Sequence, residues 1–483
     1  QIHHKFIVSN IKSGIVFMTT GILLQHIITL TPEEFMRKYS VIFIDEVHKH
    51  SIDEDFFLMV YKKLLLEHYE NPDFPILILM SGTMVPRKYM DYFNTTNYIH
   101  LKSADSAPIR EIFPESDVED LTKFIIDRLK EIYSGEERWD GDSKKYKTGR
   151  VRDTLIFMPT YGSISELAIE IRKAMPDKPV VEVTRATTSS KEYYELFIVE
   201  DSRIIIATNA AETGVTFTYL DYIIDSGLVN DVSFNPTHSC TVIQSCSATI
   251  ASFKQRRGRV GRHMPGTWYP AFTEQTYKKD AVPDAHPDIY VGQFGDVLIE
   301  YLISTTGSEI KENEVVYETK INTDIAEFLD FGLIHNPPIE TICHAFEQLY
   351  MLGFIDMDWM PTKFAILGKS MRMISLESKR MILESVITNP DSVKYCVMLA
   401  SCMATMVRMD KEPWEIDKKI NYPKEEKFNG FLKMIYHFQI IDRHISNNIG
   451  IKTNKIRNWC DKHDIPIKSW SATFDMYRQI TNA

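Results

Sequence analysis

The chain has no CxxC pair; its six cysteines (Cys240, Cys246, Cys343, Cys396, Cys402 and Cys460) are scattered singly. That spacing argues against a zinc site or a disulfide framework and for reduced thiols. No run of 18 apolar residues occurs, so no transmembrane helix and no membrane partner are expected, and no signal peptide is recognised. An excess of basic charge is missing too, the net charge being −11. This excludes a purely electrostatic, histone-like binder, whereas a local basic track would still suffice to hold nucleic acid. No internal repeat stands out. His3, His4, His48 and His50 lack a carboxylate or thiol set at ligand spacing, which argues against a zinc-type metal site.

What is present is an ordinary globular composition, 44% apolar and 25% charged over 483 residues, enough for about three domains. In the first two-thirds, short β-rich runs alternate with amphipathic stretches. Val41–Ile44, Ile76–Met80, Thr154–Met158, Val180–Val183, Ile204–Ala207 and Tyr222–Ile224 are predicted to be strands buried on both faces, as parallel sheets require. Leu121, Ile125, Leu129 and Ile132 share one face of a helix predicted over Glu119–Tyr133, with Ser116 and Glu119 as its capping box. The pattern is βαβ, twice over, hence an α/β fold. Lys102–Pro114 is expected to be a linker. Ser134–Arg150, polar and with three glycines, is expected to be a surface loop. From about Thr323 helices dominate. One spans Ile339–Leu352, opened by Pro337-Pro338 and stopped by Gly353. A tail with Met371, Met373, Met398, Met403 and Met406 is expected to form a helical core, with Cys396 and Cys402 inside it.

Three strand-end motifs and one basic run carry chemistry. The run Val41–Ile44 delivers Asp45 and Glu46 at its C-terminal end, where ligands bind in open α/β sheets. Asp45 suits Mg²⁺ held mostly through water, and Glu46 can orient or deprotonate an attacking water. Ser81-Gly82-Thr83 follows the next strand, with small hydroxyls able to switch hydrogen bonds between a catalytic carboxylate and its surroundings. Thr208–Thr216 follows Ile204–Ala207 and suits a phosphate or ribose. Lys254–Arg262 holds five basic residues and no acid. Arg259 and Arg262, three apart, are expected on one helix face, where guanidinium forks suit a transferring phosphoryl group. Each motif alone also fits a plain turn or a basic helix; the order of all of them is what narrows the choice.

That order resembles the superfamily 2 helicases of the DExH type. Asp45-Glu46-Val47-His48 matches their motif II. Ser81–Thr83 looks like motif III, with Gly82 where the family usually has Ala. Phe157–Thr160 looks like motif IV, Thr208–Phe217 motif V and Gln255–Arg262 motif VI, while Thr19–Leu24 looks like motif Ib. The DEVH box and total layout are most similar to the poxvirus NTP phosphohydrolase II family of RNA helicases. The resemblance implies two RecA-like parallel-sheet domains, the first truncated, then winged-helix and helical ratchet-like domains. The boundaries are 1–108, 109–322 with a β-hairpin insertion around 225–252, 323–368 and 369–483. It further implies Mg²⁺ and ATP or another NTP as cofactors. Asp45, Glu46, His48, Gln255, Arg259 and Arg262 would be catalytic. Asp45, Glu46, Gly214, Thr216, Arg259 and Arg262 would hold the nucleotide, and Asp45 and Glu46 the metal. Ser81 and Thr83 would couple the site to movement. Thr19, Thr20, Gly21, Thr160 and Thr208 would touch the nucleic-acid backbone. RNA, single-stranded and duplex, is the implied partner, with 3′ to 5′ unwinding, the viral transcription machinery as a further partner, and the host cytoplasm and virion as location. A DNA helicase and a catalytically dead nucleic-acid scaffold stay open as alternatives.

The family also needs GxxxxGK[ST], whose backbone amides and lysine cradle phosphates. No such stretch precedes Asp45. Gly368-Lys369-Ser370 lacks the first glycine, where Lys363 stands, and is expected to be a helix start. The chain begins at Gln1 in mid-pattern, so it is expected to be a fragment that alone neither binds ATP tightly nor hydrolyses it. ATP turnover by purified residues 1–483 would overturn that.

Overall fold

The computed structural model describes residues 2–4, 7–9, 14–82, 85–101, 107–134, 137–140, 145–148, 153–183, 202–212, 217, 220–235, 240–261, 265–280, 282, 286–291, 294–318, 332–405, 413–417, 430–446, 453–463, 465 and 467–482. The chain forms two compact units, one of residues 1–40, 52–76 and 293–483, the other of residues 41–51 and 77–292. No described helix is long and apolar enough to cross a membrane.

The first unit opens with a small sheet of β1 (Ile2–His4), β2 (Ile7–Ser9) and β3 (Phe17–Met18), with β1 in the middle. The rest of the unit is largely helical. The helix Thr20–Thr29 packs on Ile52–His68 and on Gly295–Thr306. His335 lies beside Asp55 with its Nδ1 at 2.9 and 3.1 Å from the carboxylate oxygens, both side chains 1% exposed. The helix Ile339–Met351 is followed by Gly353 at φ +71° and an isolated bridge between Ile355 and Pro361. Gly368 closes the helix Lys363–Gly368, so Gly-Lys-Ser lies at a helix end and not at the expected start. The C-terminal helices share two cores, one of Phe438, Ile441, Trp470 and Phe474, the other of Met371, Ile374, Val397 and Met476. Met398 and Cys402 are buried as expected, and burial pushes the Cys402 thiol up to about 12. Met403 is exposed instead, on the outer face of its helix, and Met406 lies outside the described residues.

The second unit starts with β4 (Val41–Ile44), hydrogen-bonded to β5 (Ile76–Leu79). Main-chain bonds run from Ile76 N to Ser40 O and from Met80 N to Ile44 O, the same residue offset, as parallel strands give. Double-sided burial fails here. Ile42 and Ile44 are buried, but Phe43 is 61% and Ile76 62% exposed. The pair has only two strands, and nothing among the described residues covers its second face.

In the large sheet the runs Thr154–Met158, Ile204–Ala207 and Tyr222–Ile224 are buried as predicted, whereas Val180–Val183, an edge strand, buries only Val183, and part of the expected linker Lys102–Pro114 forms the other edge strand at Ile109–Glu111. Its strands are β6 (Ile109–Glu111), β9 (Asp153–Phe157), β10 (Val180–Val183), β11 (Ile204–Ala207), β12 (Leu220–Asp225) and β15 (Gly266–Pro270), after a small hairpin of β7 (Glu137–Asp140) and β8 (Lys145–Thr148). The order is β10-β11-β9-β12-β15-β6 and every neighbour is parallel. Successive side chains point to opposite faces. Ile156, Ile204, Ile206 and Ile224 therefore pack with Ile125, Leu129, Ile164 and Leu167 of the helices Leu121–Ser134 and Tyr161–Ala174 on one face. Leu155, Phe157, Ile205 and Ile223 pack with Phe253 and Trp268 on the other.

Two local expectations are corrected. Asp120, and not the Ser116–Glu119 box, caps the first of those helices, its carboxylate accepting from Lys123 N at 2.9 Å. The stretch Ser134–Arg150 holds the hairpin β7–β8 rather than loop alone, with Trp139 opposite Tyr146. A two-stranded ribbon need not bury a face, so it leaves no apolar period to read.

Candidate nucleotide and nucleic-acid site

The C-terminal end of β4 turns sharply. Glu46 has φ 57° and ψ 37°, left-handed backbone for a non-glycine residue, and His50 repeats this at φ 48°. Such residues persist only where neighbours over-determine them, and here the neighbours are visible. Asp45 Oδ1 accepts from Glu46 N at 2.9 Å. Val47 N donates to Met80 O at 3.1 Å. The buried Tyr89 hydroxyl donates to Val47 O at 3.0 Å and lies 3.2 Å from His50 Nδ1. Asp288 N donates to His50 O at 3.0 Å.

This turn presents Asp45 exposed and Glu46 half-buried. Their hard carboxylate oxygens, open at a strand end, fit a Mg²⁺ held through water. Among the described residues no group of three or more His, Cys, Asp or Glu is placed to hold a metal ion.

His48 is the meeting point of three motifs. Its Nδ1 is 2.8 Å from Ser81 Oγ and 3.3 Å from Glu46 Oε2, and its Nε2 is 2.5 Å from Gln255 Nε2. An amide nitrogen can only donate. The imidazole then accepts at Nε2 and carries its proton on Nδ1, facing Ser81 and Glu46. Residues 207 positions apart in sequence thus share one ring. Thr83 lies outside the described residues.

Gln255 rides on the helix Ile250–Arg257, which Thr249 caps by accepting from Ser252 N at 3.2 Å. The helix ends at Arg257, so Arg259 stands beyond it and not on the expected helical face. Gly258 closes the helix, and Gly261 takes φ +74°, where a Cβ would come within 2.8 Å of Ala107 O. Arg259 is 9% exposed in this turn, and Arg262 lies outside the described residues.

The other expected contacts divide between the units. Thr208 ends β11 and opens a turn closed by Ala211 N to Thr208 O at 3.0 Å; Gly214 and Thr216 beyond it lie outside the described residues. Thr160 stands after β9, adjacent to β11, at the same strand ends. Its hydroxyl accepts from Ser163 N at 3.0 Å and caps the helix Tyr161–Ala174. In the first unit Thr19, Thr20 and Gly21 open the helix Thr20–Thr29. A Cβ on Gly21 would meet Asp53 Oδ2 at 2.6 Å, so a larger residue there would displace the Asp53 carboxylate.

Sequence reasoning missed Tyr89, Glu212, Asp225 and the distinct place of Arg256. All four are buried or nearly so. Only the density of motifs around Glu212 and Arg256 hinted at them.

Comparison with known proteins fits this geometry. The Helicase conserved C-terminal domain family matches residues 142–264. "Putative ATP-dependent RNA helicase L540" of Acanthamoeba polyphaga mimivirus is 28% identical over 290 residues, 58% of this chain and 39% of that protein. "ATP-dependent RNA helicase DEAH12, chloroplastic" of Arabidopsis thaliana is 24% identical over 352 residues, 71% of this chain and 18% of that protein. The solved E. coli DExH-box NTPase HrpB superposes with a TM-score of 0.65 at 17% identity, covering 92% of this chain and 49% of that one. The chain thus spans less than half the length of each. Residues 142–264 thus match a helicase C-terminal domain family, and with a parallel six-stranded sheet and the motif order the chain is similar to the DExH-type superfamily 2 helicases.

Proposed function

We propose that the full protein is an NTP-driven RNA helicase that unwinds duplexes 3′ to 5′ and serves viral transcription or RNA processing in the host cytoplasm and virion. The observation that carries the NTPase part is the His48 junction, which ties Glu46, Ser81 and Gln255 to one ring. The names of the mimivirus and Arabidopsis relatives support RNA as substrate, and the mimivirus relative supports a viral setting.

In this reading Asp45 and Glu46 would hold hydrated Mg²⁺, which would supply positive charge to offset that of the phosphates of ATP or another NTP. Glu46 orients the attacking water and takes its proton. His48 and Gln255 keep that carboxylate in register with the arginine motif. Arg259 and Arg262 stabilise charge on the transferring phosphoryl group, and Gly214 and Thr216 line the nucleotide. Ser81 and Thr83 relay the state of the carboxylate, while Thr19, Thr20, Gly21, Thr160 and Thr208 hold the RNA backbone. The division at residues 108, 322 and 368 belongs to the same proposal.

The test is strand separation by the full protein on matched RNA and DNA duplexes with 3′ or 5′ overhangs. NTP-dependent opening of the RNA duplex with the 3′ overhang is expected. Preference for DNA or for the 5′ overhang would overturn substrate or direction. RNA binding without NTP turnover would replace the helicase by a scaffold.

A further inference from the structure

Arg256 sits in the middle of the arginine motif, yet its side chain is 1% exposed. Its guanidinium is not directed at solvent or at a ligand. Nε donates to Glu212 Oε1 at 2.6 Å, Nη1 to Asp225 Oδ1 at 2.7 Å and Nη2 to Leu228 O at 3.0 Å. Its carbon lies 4.9 Å from the Phe157 ring centroid. Burial opposes the charge, and the carboxylates of Asp225 and Glu212 more than offset this, holding the guanidinium above its ordinary range.

The partners come from separate motifs. Glu212 belongs to the turn after β11 and also accepts from Ser252 Oγ at 2.7 Å, on the same helix as Arg256. Phe157 ends β9. Asp225 ends β12 and accepts from Gly227 N at 3.0 Å. Leu228 is the first residue of β13 (Leu228–Asn235), which pairs antiparallel with β14 (Cys240–Ser247) in a ribbon outside the six-stranded sheet. The base of this ribbon is closed by Ala248 N to Gly227 O at 2.8 Å, and Gly227 has φ +77° with Phe272 filling the space of a Cβ. β14 then runs through Ala248 and Thr249 directly into the helix that carries Gln255. A fixed planar fork satisfied on three sides holds its partners in one geometry; an ammonium group on the same stem does not.

We propose that Arg256 is a positioning residue that couples the ribbon β13–β14 to NTP hydrolysis, by locking the ribbon base, the turn after β11 and the helix bearing Gln255 into one body. This rests on the helicase reading. Ribbon movement against nucleic acid is then felt at Gln255 and Arg259, and the reverse.

The experiment compares the full protein with Arg256→Lys and, because that buried site tolerates little, with Glu212→Gln, which weakens the same fork from its partner. NTP turnover, duplex opening, RNA affinity and amide hydrogen exchange of Leu228–Ser247 are measured together. The expected result is about a fivefold fall in kcat with the NTP KM and RNA Kd within twofold. The NTP consumed per duplex opened rises at least about tenfold, and exchange at the ribbon base accelerates about tenfold. Hydrolysis and opening that fall in equal proportion, or ribbon exchange unchanged in both folded variants, would overturn the coupling while leaving the helicase reading intact. Wild-type protein inert in both activity assays would overturn the helicase reading and the coupling with it.

Discussion

Arg203 and Arg256 are both buried guanidiniums in the second unit, and they stand at opposite ends of the same parallel strands. Arg203 precedes β11 and forms a closed pair with Asp153 at the start of β9, with Nη2 to Oδ2 at 2.6 Å, Nε to Oδ1 at 3.2 Å and its own main-chain N to Oδ1 at 3.0 Å. Arg256 reaches the finishing ends of β9 and β12 and binds separate segments. One arginine staples two neighbouring strands, and the other joins parts that belong to different motifs. The strand starts are thus stapled by a local pair. The finishing end of β4, in the separate two-stranded sheet, carries the irregular backbone, the exposed Asp45, the half-buried Glu46 and the shared His48, at the kind of strand end where an open α/β sheet binds its ligand.

Four substitutions would break or sharpen this contrast. The largest effect is expected at a strand finish. Glu46→Gln in the full protein should lower NTP turnover by about 10²–10⁴-fold, the usual contribution of a positioned acid or base, while equilibrium NTP binding survives. Turnover near wild type would remove the chemistry from that end. At the strand starts, Arg203→Leu leaves Asp153 buried without its partner and should cost about 3–5 kcal/mol of stability, read by denaturant unfolding. Turnover per folded molecule should not move, and a selective loss of activity would erase the division between the two ends. Tyr89→Phe removes one buried hydrogen bond to the turn that holds Glu46 left-handed. A contribution of about 1 kcal/mol translates to roughly fivefold in kcat with KM unchanged, measured by steady-state kinetics. A change confined to KM would show that the turn does not depend on Tyr89. The smallest effect is expected for Thr160→Asn. Asparagine also caps helices, so stability should stay within about 0.5 kcal/mol, and RNA affinity should fall about threefold through one lost backbone contact. Unchanged affinity would reduce Thr160 to a helix cap.

The two sheets of the second unit show how far apolar pattern carries. Ile204–Ala207 and Thr154–Met158 were legible as doubly buried strands because both faces are covered by helices and ring clusters. The same pattern in Val41–Ile44 and Ile76–Met80 gave the right strands but the wrong burial, since coverage depends on other parts of the fold. The polar hairpin β7–β8 was missed because main-chain pairing can proceed without an apolar face.

By itself the sequence determined the order of strands and motifs, the carboxylates after β4 and the basic run after β14. These follow from local rules, namely short continuous apolar runs and small and charged residues at strand ends. Only the tertiary structure decided that Glu46 sits in left-handed backbone, that His48 meets Gln255 and Ser81, and that Arg256 turns inward while Arg259 does not follow it on a helix. Neighbouring arginines in one motif have the same local chemistry. Which of them is buried against Glu212 and Asp225 is fixed by where distant strands end, and no local pattern holds that distance.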